Sequence, residues 1–111
     1  MKKILRIYVP IGAKASHDLS FWQRIWNPNL ASFILKKAKE LGVEQALSLN
    51  VTAGYLKGKH LSYDLGEVPH KDFPVVLEIL DTEQNIKQLL EELTDSLKQC
   101  QVFTLNIEER S

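Results

Sequence analysis

Apolar and polar positions alternate over residues 3–9, KILRIYV. Leu5, Ile7 and Val9 point one way and Ile4, Arg6 and Tyr8 the other, the period of a strand with two distinct faces. No period is sustained over PIGAKASHDLSFWQRIW, so a long irregular connection is expected across residues 10–29. Asn27-Pro28 reads as a helix start. Asn accepts from the free N–H groups of a first turn, and Pro gives up an N–H that had no partner there. Leu30, Phe33, Ile34, Ala38 and Leu41 follow at helical spacing, and Gly42 supplies the stop. Residues 45–53, QALSLNVTA, set Leu47, Leu49, Val51 and Ala53 against Ala46, Ser48, Asn50 and Thr52. A third strand is predicted over 74–80, PVVLEIL. Asp81 or Thr82 then caps a second helix with Ile86, Leu89, Leu90, Leu93 and Leu97 on its apolar face. QVFTLNIE, residues 101–108, alternates once more, with Phe103, Leu105 and Ile107 on one side.

The order is β-α-β-β-α-β, and each helix has one apolar stripe. The simplest burial lays both helices on one face of a four-stranded antiparallel sheet with right-handed crossovers. That is a ferredoxin-like α+β sandwich. If the apolar side of every strand turns to the helices, the other face shows Arg6, Tyr8, Ser48, Asn50, Thr52, Val76, Glu78, Val102, Thr104, Asn106 and Glu108, beside Ile4 and Leu80. Such a mixed face suits a wet interface between subunits as well as open solvent, and the interface is the favoured expectation.

The chain has 111 residues, which suits a single domain over 1–111 with a core large enough to need no disulfide or metal. Its single cysteine, Cys100, excludes an internal disulfide and fits a cytoplasmic location. Lys plus Arg and Asp plus Glu balance at 14 each, against the basic excess of a protein that grips nucleic acid. No apolar run approaches the roughly 20 residues of a membrane helix, so no embedding in a membrane is expected. The opening MKKILRIYVPIGAKAS imitates a secretion signal, but Arg6 breaks its apolar run and the alternation assigns it to the fold.

Chemistry-bearing motifs are sparse. An RNA-recognition sheet needs aromatic residues on its central strands, and the first strand offers only Tyr8. Phosphate-loop, nucleophile-elbow and paired-His or paired-Cys signatures are absent from the sequence. His60 and His70, with Asp64 and Asp72, share one polar connection. They define the alternative of a metal-binding protein or small metal-dependent enzyme, although solvated loop histidines are the plainer reading. Trp22 and Trp26 are expected to anchor the first long connection through buried ring area. No cofactor is predicted. The connection TAGYLKGKHLSYDLGEVPHKDF, residues 52–73, stands out. Adjacent strands need only two to five residues between them, and longer links usually bind something or are disordered.

LRIYVPIG, LKKAKELGVEQALSLNVTAGYLKGK and DFPVVLEILDTEQNIKQLLEEL together resemble the PII-like signalling proteins, and most closely a small bacterial PII-like group of unknown function. The resemblance implies a ferredoxin-like fold, a homotrimer with the mixed sheet face inward, and no enzymatic activity. It makes the 52–73 connection the counterpart of the T-loop, which reports ligand state to a partner such as a membrane transporter. The implied ligand is a small anionic metabolite or nucleotide at the loop base, between subunits. Gly54 would be the hinge, Tyr55 and His60 the hydrogen-bonding groups, Lys57 and Lys59 the charge, with Arg6 and Asn50 completing the site. Three departures stand out, the first being Val51 where the close relatives usually have Gly. SLKQCQVF lacks the Gly-rich phosphate-binding loop of true PII proteins, so weak ATP binding is expected. HDLSFWQRIWNPN is longer than the usual first connection of the family.

Overall fold

A computed structural model describes residues 1–13, 29–63 and 73–110. The order is β1 (Lys2–Val9), α1 (Leu30–Glu40), β2 (Gln45–Asn50), β3 (Ala53–Gly54), β4 (Ser62–Tyr63), β5 (Val75–Thr82), α2 (Glu83–Glu92), a 3₁₀ turn (Ser96–Gln99) and β6 (Gln101–Asn106). The main sheet has four strands in the order β2-β5-β1-β6, every neighbouring pair antiparallel. With two helices packed on one face, this is the predicted ferredoxin-like α+β architecture.

The core lies between the helices and the central strands. Leu5, Ile7 and Val9 of β1 and Leu77 and Ile79 of β5 meet Leu30, Ile34 and Ala38 of α1, and Ile86 and Leu89 of α2, all buried. Helix α1 starts later than the sequence pattern suggests. Its cap is Asn29, whose side-chain oxygen accepts from the Ser32 N–H at 3.3 Å. Asn27-Pro28, Trp22 and Trp26 lie outside the described residues. Helix α2 is capped by Thr82, whose hydroxyl accepts from the Asn85 N–H at 3.3 Å. Asp81, the β5 residue before this cap, is buried and accepts from the N–H groups of Thr82 at 2.6 Å and Glu44 at 3.0 Å and from the Asn85 side chain at 3.0 Å. One carboxylate thereby ties the entry of β2 to the end of β5 and the start of α2.

The register corrects the expected faces of both edge strands. Residues directly opposite in an antiparallel pair share a face. Leu47 stands opposite Glu78 and Leu49 opposite Val76, while Phe103 stands opposite Arg6 and Leu105 opposite Ile4. These four apolar residues therefore lie on the face away from the helices, and all four are exposed. Ser48 and Asn50 stand opposite Leu77 and Val75, and Val102 and Thr104 opposite Ile7 and Leu5, so these lie on the helix side. The helices sit over the central strands, and the edge strands bring small or polar residues to that side. The open face is consequently far more apolar than the mixed face expected from alternation. An ion pair, Arg6–Glu78, is joined at 3.0 Å near its middle.

Candidate functional site

The connection after β2 begins as a small hairpin. Ala53 pairs with Tyr63 and Gly54 with Ser62. At its tip the Lys59 N–H donates to the Leu56 carbonyl at 2.9 Å, closing a turn over Leu56–Lys59. Gly58 takes φ 81° at the third position, the conformation a type II turn demands and glycine supplies without steric cost. Gly54 has φ 153°, a region essentially restricted to glycine, although a Cβ there would meet open space. The requirement at Gly54 is backbone conformation, not space for a side chain.

The hairpin exposes large apolar groups. Tyr55 is 70% exposed, and Leu61 and Tyr63 are each 60% exposed. Tyr63 stands opposite Ala53 and shares its face. Lys57, Lys59 and His60 are exposed at the tip. Sequence reasoning thus named five residues that the fold gathers into one hairpin: Gly54, Tyr55, Lys57, Lys59 and His60.

Arg6 and Asn50 do not join them in one site. Arg6 is on the open sheet face, and its guanidinium is held above its ordinary pKa chiefly by the hydrogen bond to Glu78. Its charge is already answered by that carboxylate. Asn50 ends β2 on the opposite face, against Val75. No single face of the sheet carries both. His70, Asp64 and Asp72 lie outside the described residues. Among the described residues, no group of three or more His, Cys, Asp or Glu side chains is placed to hold a metal ion.

A cleft of about 610 Å³ opens where β1 ends, β5 and β6 begin, and the hairpin tip returns. Tyr8 and Phe103 meet there edge to face, with centroids 5.7 Å apart and rings at 82°. Phe73, 5% exposed, is also part of the wall, as is Leu56 of the hairpin turn. Gln99 and Gln101 provide amide groups. This size lies within the range of roughly 300–1,000 Å³ typical of small-molecule sites, as does a largely apolar wall with a few polar groups. None of these wall residues was singled out from the sequence as a ligand group. They come from four separate stretches of chain, and only the register of β6 turns Phe103 towards Tyr8. The one available signal was Leu56, an apolar residue inside a polar connection.

The segment before β6 binds its own backbone. The N–H groups of Leu97, Lys98 and Cys100 donate to the carbonyls of Leu93, Asp95 and Leu97. Those three donors are turned into the 3₁₀ turn and away from any phosphate. Burial raises the pKa of the half-buried Cys100 thiol that follows. Among the described residues, no helix is long and apolar enough to cross a membrane.

The family model DUF190, described as "Uncharacterized ACR, COG1993", matches residues 2–109. A UPF0166 protein of Aquifex aeolicus (strain VF5) is 36% identical over 92 residues, covering 83% of this chain and 78% of the relative. The match spans the sheet, both helices and the hairpin, and the chain belongs to the DUF190 family, a PII-like group of small domains.

Proposed function

We propose that this chain is a non-enzymatic regulatory protein of the PII-like kind. It works in the cytoplasm as a homotrimer of single-domain subunits. It takes a small anionic metabolite or nucleotide at the base of the β3–β4 hairpin, where subunits meet, and the hairpin carries the signal to a target such as a membrane transporter. The observation that carries this reading is the hairpin itself: exposed tyrosines and lysines at its surface, with Leu56 forming part of the wall of a ligand-sized cleft. A segment that touches both a cleft and solvent is suited to couple occupancy to recognition. The open sheet face supports the trimer, because Leu47, Leu49, Phe103 and Leu105 form an apolar surface that a second copy would cover. Arg6, held by Glu78, serves there as part of a paired polar centre, and the positive charge for an anion falls to Lys57 and Lys59.

The double substitution Lys57→Ala/Lys59→Ala tests the assignment. Exposed loop charges usually change stability by less than ~0.5 kcal/mol, so the melting temperature should barely move. Protection by anionic metabolites or nucleotides in a thermal-shift panel should weaken, as should capture of a target from native membranes. Unchanged ligand response and unchanged capture would remove the lysines from the site.

A further inference from the structure

The Arg6–Glu78 pair sits in apolar surroundings on the open sheet face. The register sets Leu47, Glu78, Arg6 and Phe103 in one row across the sheet, with the two charges in the middle. Along the strands, Val76 and Leu80 flank Glu78 on the same face, and Ile4 and Tyr8 flank Arg6. Arg6 keeps 34% of its side chain exposed and Glu78 25%, so water still reaches both in the single chain. The bond from Arg6 Nη2 to Glu78 Oε2 engages one nitrogen of the guanidinium and one oxygen of the carboxylate. A surface that covered this face would strip water from the rest of both groups. An apolar partner has nothing to replace that water. A partner of one charge sign would satisfy one group and repel the other. A second copy of this chain meets both needs, because it carries the same two charges side by side within the same apolar rim. In a symmetric contact the Arg6 of each copy meets the Glu78 of another.

We infer that the Arg6–Glu78 pair is the matching element of the association face: on assembly it is shared between subunits, and it restricts the face to copies that present the same pair. This rests on the self-association proposed above and adds the residues that select the partner. The apolar rim supplies the area to be buried, and the pair decides what may be buried against it. Removing one of the two charges leaves the other desolvated and unmatched at the centre of the contact, which is the costly way to alter a buried pair. The missing charge can be returned from outside the subunit only if the pair is shared. A copy without Arg6 and a copy without Glu78 should therefore complement each other.

The test uses the full chain as wild type, as Arg6→Gln and as Glu78→Gln. Each substitution removes one charge and leaves a neutral polar group on the open face, away from the helix-packed core. Sedimentation velocity over a concentration series reports association. Native mass spectrometry of an equal mixture of the two variants, which differ in mass, reports mixed assemblies. Each variant alone is expected to need at least about tenfold more protein than wild type to associate. The mixture should associate severalfold more tightly than either variant alone, with mixed assemblies in excess over a random distribution. Association of either variant at wild-type strength would overturn the role of the pair. Two weak variants that stay weak when mixed would overturn its sharing between subunits. Loss of the fold in either variant, seen by circular dichroism, would show that the pair serves the single subunit and would also overturn the inference. In each of these cases a self-associating wild type leaves the assembly itself standing. A wild type that stays a single chain removes the assembly and this inference together.

Discussion

At the residue scale, Asp81 shows how one buried carboxylate can hold three elements. Burial alone would raise its pKa, but the N–H groups of Thr82 and Glu44 and the Asn85 amide favour the charged form and hold the value below the ordinary one, with Lys2 adding to this. A depressed folded-state pKa stabilises the fold above the unfolded value, near 4, and that stabilisation is lost as pH falls through the folded value. Asp81→Asn replaces an all-acceptor group with one that points an NH₂ at existing donors. It should cost about 1–3 kcal/mol at neutral pH, the range for a buried group left poorly matched. Urea unfolding at neutral and acid pH checks this: the gap between wild type and variant should narrow below about pH 4. Equal midpoints at neutral pH would show that the clamp contributes nothing.

At the scale of elements, the chain order and the faces of the central strands were legible because burial and alternation agree there. Leu5, Ile7, Val9, Leu77 and Ile79 are apolar positions that meet the helices. Alternation also divided β2 and β6 correctly into two sets. It could not say which set meets the helices, because a period of two is the same from either side. The assumption that apolar residues face the helices fails when the other face is itself apolar, as Phe103 beside Tyr8 shows. The same limit hid the cleft, whose wall depends on that register. The hairpin was legible as a polar, glycine-bearing connection, but its pairing of Ala53–Gly54 with Ser62–Tyr63 was not, since each strand has only two residues. The 3₁₀ turn before β6 bears on ATP. The N–H groups of Leu97, Lys98 and Cys100 are spent on the carbonyls of Leu93, Asp95 and Leu97, so these three are not available to cradle a triphosphate. Calorimetry should therefore find ATP weak or silent in this protein, and tight ATP binding would require a phosphate site elsewhere.

At the scale of the whole molecule, the regulatory account depends on association. Sheet faces in monomers seldom combine Leu47, Leu49, Phe103 and Leu105 in the open without a partner. A ring of three subunits would cover that face and place each cleft next to a neighbour. Sedimentation equilibrium of the wild type and of Leu49→Glu/Phe103→Glu tests this central claim most directly. Both substitutions lie on the open face, away from the helix-packed core, so the monomer fold should survive in the circular dichroism spectrum. The account predicts three chains' mass for the wild type at micromolar concentration and one chain's mass for the folded double variant. A wild type that sediments as a single chain would contradict it.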